Sequence, residues 1–324
     1  MTMTVIDAPA PRLGGSGGVS QQAPAAVVMV RPHLFAPNLA ECGDNTYMTA
    51  PRGDERAVAQ AAYREVSIMA DRLTDRGVRV HLFEDTGRLT PDSVFPNNWF
   101  STHDDGALTL YPMKARNRRG ERRTDIVDTL RGQYAVTHVR DYSAWEQAGQ
   151  YLEGTGVLVL DHDTRVAYVC RSHRVNETLL RQFCSDHGYR AVVFDAVDRL
   201  GHPIYHTNVM MAVGTDVALV CLDAIASDLD RRIVRDELEA AGRHVISLTH
   251  EQVGEFAGNA LEVRGSGAAL LVMSSRGWRS LSRRSRSAVD SWVDVLTVDV
   301  PTIEHAGGSA RCMMAGVHLP AIAS

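Results

Sequence analysis

The chain has 324 residues, 44% of them apolar, and its 34 basic and 39 acidic residues give a formal net charge of -5. It is long enough to bury a substantial core, and its mild negative charge excludes a general affinity for polyanions, so nucleic acid is not expected as a partner. The five cysteines are odd in number and none forms a CxxC pair, so neither a disulfide framework nor a cysteine zinc site is indicated, and a reducing, cytoplasmic setting fits.

Residues 1–25, which include RLGGSGGVSQQAPAA, lack the apolar core of a signal peptide and read as a flexible N-terminal tail. Residues 26–324 read as a single domain. No apolar run approaches the roughly 20 residues needed to cross a bilayer, so no membrane association is expected. AAVVMVR opens the domain as a strand, followed by a helix over ERAVAQAAYREVSIMADRL and a strand over VRVHLF. NNWFSTH and GALTLYPM then give two strands, RRGERRTDIVDTLRG a helix, and AVTHV a strand. The order repeats in EGTGVLVLD, HDTRVAYVC, a helix from about Val175 to His187, and YRAVVFDA. It repeats again in HTNVMMAVG, TDVALVCL, a helix from about Ser227 to Ala241, and RHVISLT. NALEVRG, GAALLVMSS, a helix in WRSLSRRSRSAVDSWV, and VLTVDV form one more unit. The remaining strand, ARCMMAGVHL, pairs with AAVVMVR. Joining the termini in this way closes an α/β ring with pseudo-fivefold symmetry and removes exposed sheet edges.

Five polar residues mark the units: Asn98, Glu153, His206, Asn259 and Cys312, spaced by 55, 53, 53 and 53 positions. Repetition carries equivalent positions to equivalent places, so these residues converge. A carboxylate, an imidazole and a thiol together are parts of a nucleophilic site. Taken singly, His206 reads as a structural histidine and Cys312 as an inert thiol like Cys170, Cys184 and Cys221, read on apolar strands; their matched positions favour catalysis. For Asn259, turn chemistry or simple completion of the symmetry is the favoured reading. HAGGSAR gives Cys312 an open approach, and Arg311 or a protonated His206 is a candidate to stabilise the thiolate. GGSAR lacks the ending of a phosphate loop. The histidines form no helix-based metal motif, so no metal and no cofactor are expected.

In order and spacing, PNNWFSTH, LEGTGVLVLD, IYHTNVMM and GGSARCMM resemble the guanidine-modifying, or amidinotransferase, superfamily, which includes arginine deiminases and dimethylarginine hydrolases. FAPN, DNTYM, LYPMKARNRRGERR and PTIEHAGGSARCM narrow the resemblance to citrulline utilization hydrolases, over nearly the whole chain after residue 27. The resemblance implies a five-bladed α/β propeller of pentein type. It also implies Cys312 as nucleophile, His206 as general acid and base, and Glu153 as the acid that holds substrate nitrogens. Arginine deiminases usually carry carboxylates where this chain has Asn97-Asn98 and Asn208. Amides supply donors and acceptors without charge, which favours a neutral ureido group, hence citrulline, over a guanidinium. Arginine deiminase, arginine dihydrolase and dimethylarginine hydrolase activities are the alternatives, and a catalytically inactive propeller that binds partners is the alternative outside enzymology.

An amino-acid substrate also needs its carboxylate held. In KARNRRGERR most arginines read as a solvated face, whereas Arg118 is the candidate clamp because R-x-x-E, here Arg118 to Glu121, resembles the superfamily's pattern after this strand. Asn38 and Asn45 are candidate pocket residues on a covering loop, and Asp44 is a candidate ligand for the α-amino group. Homo-oligomerisation is left open.

Overall fold

The computed structural model describes residues 4–6, 20–38, 43, 45–51 and 53–322. Five small sheets make up the ring, each with an inner strand antiparallel to a middle strand that is parallel to an outer one. Blade 1 is Ala315–Val317, Ala26–Pro32 and Arg79–Asp85, so the C-terminal strand does pair with the N-terminal one. Blade 2 is Phe100–Thr102, Ala107–Leu110 and His138–Asp141. Blade 3 is Val159–Asp161, Val166–Cys170 and Arg190–Phe194. Blade 4 is Met211–Val213, Val217–Val220 and His244–Ser247, and blade 5 is Leu261–Arg264, Ala269–Ser274 and Asp294–Val298.

In each blade the parallel pair requires a crossover, and a helix supplies it. The longest, Glu55–Asp75, starts where Asp54 accepts a hydrogen bond from the Ala57 N–H and buries Val58, Ala62, Val66, Met69 and Leu73 at three- and four-residue intervals. Each such buried side chain contributes about 1.5–3 kcal/mol of transfer free energy. Glu177–His187 is capped by Asn176 and ended by Gly188 at φ 67°. The helix expected over 278–293 is instead two, Ser275–Ser280 and Arg283–Asp290, because Leu281 turns extended and Ser282 begins a new cap. Among the described residues no helix is long and apolar enough to cross a membrane.

Two expectations need correction. The segments that open PNNWFSTH, EGTGVLVLD and HTNVMMAVG are not strands from their first residue: Pro96–Asn98, Gly154–Val157 and Thr207–Met210 each form one helical turn before the inner strand. Asn98 lies in its turn, and Glu153 and His206 sit at the N-cap of theirs, just ahead of the inner strand. Nor is the whole of residues 1–25 a loose tail. Thr4–Ile6 adds a fourth strand to blade 3. Gln22 is buried, with its Nε2 donating to the carbonyls of Leu160 (3.1 Å) and Val213 (2.8 Å) and its Oε1 accepting from the His162 N–H (2.8 Å). The rest of that expectation lies outside the described residues.

Candidate active site

All five markers meet at one end of the axis. Cys312 lies at the turn before the inner strand of blade 1, and its Sγ is approached by the Nδ2 of Asn259 at 3.2 Å and of Asn208 at 3.5 Å. The Asn259 Oδ1 accepts from the backbone N–H groups of Arg311 (3.1 Å) and Cys312 (3.4 Å). Asn259 therefore does more than complete the symmetry: one amide fixes the thiol and the backbone that carries it. The Asn208 Oδ1 is buried and has no hydrogen-bond partner among the described residues. An acceptor beside the thiol is thus left for a ligand N–H.

His206 donates or accepts through Nε2 with the Glu153 Oε2 at 2.9 Å. Glu153 also accepts from the Lys114 N–H through Oε1 at 3.0 Å and from the Arg174 Nη1 through Oε2 at 2.8 Å. Burial works to raise the Glu153 pKa, but Arg174 and then His206 outweigh it and hold the carboxylate below its usual range. Burial lowers the His206 pKa to about 4 against the opposing pull of Glu153. At neutral pH the pair is a carboxylate and a neutral imidazole, so Nε2 carries the hydrogen toward Glu153 and Nδ1 is the basic nitrogen. The expectation of a protonated His206 beside the thiol is corrected accordingly. If the neutral ring is the working base, kcat/KM should stay level from pH 7 toward pH 5 and fall only as the ring titrates near 4. An inflection in the ordinary histidine range, about 6.5, would count against this assignment.

Arg174 has no counterpart among the residues singled out from sequence. It comes to Glu153 because the loop after blade 3's middle strand folds back: Leu152 and Val175 form an antiparallel bridge, and the Glu153 N–H meets the Arg174 carbonyl at 3.4 Å. The guanidinium also lies over the Tyr205 ring, 5.2 Å from its centroid. Asp92 is the second unforeseen member. It is buried 3.6 Å from the Arg118 Nε, and burial raises its pKa against the pull of Arg118 and Asn38.

Arg118, Asn98 and Asn45 take their expected places in the cavity wall with Asp92, His206 and Cys312. The Nε–Nη2 edge of Arg118 is already bound by Glu121 (3.0 and 2.9 Å), so the expected bidentate contact with substrate is not available on that edge. With the Asn98 amide oxygen facing Arg118, it accepts from Nη1 at 3.0 Å. Asn97 and Asn38 do not line the cavity. Asn97 is fully buried behind Asn98, and Asn38 holds Asp92 through Nδ2 at 2.7 Å. Asp44 lies outside the described residues. Of the remaining arginines in the run, Arg119 and Arg122 pair with Glu146 and Arg123 with Asp125, which leaves Arg116 as the exposed one expected.

Arg311 points away from the cavity and lines the axial space at the other end of the ring. Cys170 and Cys221 belong to blade strands or their ends, but Cys184 lies in the helix Glu177–His187. Burial pushes the thiols of Cys170 and Cys184 up to about 12 and that of Cys221 to about 11, as inert cysteines require. Gly156 is part of the site by what it lacks: a Cβ there would fall 2.5 Å from the Asn98 amide and 2.9 Å from the His206 ring. Gly156→Ala should lower turnover about 100-fold by displacing the imidazole, at a stability cost of about 1–3 kcal/mol. Paired turnover and melting measurements check this, and unchanged turnover would refute it.

The fold and the converging thiol, imidazole and carboxylate fit a hydrolase of the guanidine-modifying superfamily. Residues 31–319 match the family described as N,N dimethylarginine dimethylhydrolase, eukaryotic, and the chain belongs to that family. No curated protein sequence matches it. Among solved structures, the N-terminal domain of ArgZ bound to product, an arginine dihydrolase from the ornithine-ammonia cycle in cyanobacteria, aligns at 16% identity over 91% of this chain and 98% of its own, with a TM-score of 0.69. Unliganded AgrE aligns at 16% identity and a TM-score of 0.69, over 92% of this chain, which spans 40% of AgrE. A dimethylarginine dimethylaminohydrolase adduct with 4-chloro-2-hydroxymethylpyridine aligns at 15% identity over 90% of this chain and 98% of its own, with a TM-score of 0.59. At these identities the likeness is one of fold.

Proposed function

We propose that the protein hydrolyses the terminal ureido group of citrulline to give ornithine, ammonia and carbon dioxide. The observation that carries this reading is the Arg174–Glu153 pair. The carboxylate best placed to receive a cationic guanidinium is already neutralised by a buried arginine, and Asp92 faces Arg118 in the same way. The groups nearest the thiol, Asn208 and Asn259, and the wall residue Asn98 are amides. A neutral ureido group takes hydrogen bonds from such a wall, whereas a guanidinium would enter without an unshared counter-charge.

In this mechanism the Cys312 thiol gives its proton to the neutral His206 as sulfur attacks the ureido carbon. The imidazolium so formed, held by Glu153, returns the proton to the departing nitrogen, and an S-linked carbamoyl intermediate remains. Water then attacks that carbon and loses a proton to the same ring, breaking the C–S bond and restoring the thiol. Carbamate release yields ammonia and carbon dioxide. The amides of Asn98 and Asn208 supply a donor and an acceptor for the reacting group. The cavity is closed to about 20 Å³, so the residues covering it must shift to admit an amino acid.

A second reading, hydrolysis of arginine or a methylated arginine, is favoured by Asp92, a carboxylate in the wall itself. Incubation with citrulline, arginine and methylated arginines in separate reactions, with ornithine, citrulline and ammonia measured, distinguishes them. Ornithine from citrulline is the expected result, and citrulline accumulating from arginine would overturn the proposal.

A further inference from the structure

At the end of the axis away from the thiol, the five inner strands enclose a second cavity of about 40 Å³. Its polar lining includes Gln22, Thr102, Thr155, His162, Arg311 and His318, and no carboxylate lies in its wall among the described residues. Arg311 donates through Nη1 to the Met314 carbonyl at 3.1 Å and has no carboxylate partner among the described residues, unlike Arg118, Arg174 and Arg243, each of which is paired with one. The two imidazoles stack on each other, 3.8 Å between centroids. Burial lowers the pKa of both, His318 to about 4, so neither adds charge at neutral pH. The cavity therefore holds one guanidinium with no carboxylate beside it, in a space for about three or four waters at about 10–15 Å³ each, or one small anion. Arg311 is only partly exposed, so a guanidinium with no carboxylate beside it favours an anion there.

We infer that this cavity is a binding site for a small monovalent inorganic anion of chloride or bicarbonate size, with Arg311 as its principal ligand. The site stands back to back with the nucleophile. Arg311 and Cys312 are consecutive, and the single Asn259 amide holds the backbone of both and touches the sulfur. Burial lowers the Arg311 pKa to about 10 and the interaction with Cys312 works the other way, so the guanidinium lies within electrostatic reach of the sulfur. Anion binding cancels the positive field behind the thiolate and makes the thiol less reactive. The site thus couples anion concentration to nucleophile reactivity whichever substrate the enzyme takes.

The test has two arms. Crystals soaked in bromide should show an anomalous peak beside the Arg311 guanidinium, and its absence overturns the site. In solution at constant ionic strength, replacing gluconate, too large for the cavity, by chloride should slow iodoacetamide labelling of Cys312 about threefold. Mass spectrometry of the Cys312 peptide reads this independently of turnover. Arg311→Gln should abolish the chloride effect. If chloride acts equally on the variant it binds elsewhere, and if chloride and gluconate behave alike the coupling is absent; either result overturns the inference. Should Arg311→Gln fail to fold, the bromide peak and the chloride comparison on the unmodified protein still decide.

Discussion

Cys312→Ala should abolish hydrolysis, with kcat lower by at least about 10⁴-fold and the melting temperature changed by only a few degrees. Cys312 is 4% exposed and its sulfur is held by two amide donors. Removing it deletes the atom that forms the covalent bond while leaving the Asn259 contacts with the backbone intact. Cys312→Ser tests whether the element matters rather than the space, because a hydroxyl in the same position is a far weaker nucleophile at neutral pH. The other described thiols serve as controls: Cys170, Cys184 and Cys221 are buried and their pKa values raised, so Cys221→Ala should leave turnover unchanged. Alkylation should mark Cys312 first and be blocked by substrate. Turnover that survives Cys312→Ala would remove the enzyme reading and leave the propeller as a binding scaffold.

The architecture was legible because the signal for it is redundant. Five copies of strand, strand, helix and strand, each with period-2 or helical patterning, had to form five equivalent blades, and the leftover strand at each end could only pair with the other. The same redundancy singled out Cys312, His206 and Glu153 as residues that would meet, since each precedes the inner strand of its own blade. It failed for Arg174 and Asp92, which occupy loop positions with no equivalent in the other units. Arg174 in SHRVNE looks like any polar residue ahead of a helix cap, and only the backbone bridge between Leu152 and Val175 brings it to Glu153. Periodicity reports where the scaffold repeats. Arg174 and Asp92, which balance Glu153 and Arg118, break the repeat, so periodicity alone does not find them.

Asn259 shows the opposite error. Turn chemistry is the reading its sequence favours, because asparagine commonly ends a loop by bonding to nearby backbone. The bonds, however, reach across to Arg311 and Cys312, residues 52 and 53 positions away, and the remaining donor meets the sulfur. A short polar side chain fixes a nucleophile without adding charge. That distinction is invisible until the distant partner is placed.

Arg174→Met should be the most disruptive change in the wall that leaves every proposed reacting group in place. The arginine is 1% exposed and its partner Glu153 fully buried, so removing the charge strands a carboxylate at a cost of about 3–5 kcal/mol. The sign of the pH dependence follows from the wild-type pair. Because Glu153 has a folded-state pKa below its unfolded value, it contributes stability that is present above the unfolded pKa and lost as pH falls through the folded one. In Arg174→Met burial dominates, the Glu153 pKa rises, and the deficit relative to wild type should be largest at neutral pH and shrink toward pH 4. Adding Glu153→Gln should recover much of the stability and none of the activity, a non-additivity that a double-mutant cycle measures directly. The same substitution addresses substrate charge. With Arg174 gone, Glu153 is free to face a cation, so the ratio of arginine to citrulline turnover should increase even as both fall. If that ratio is unmoved while stability drops as expected, Arg174 supports Glu153 structurally and does not exclude the guanidinium, and the argument for a ureido substrate loses its main support.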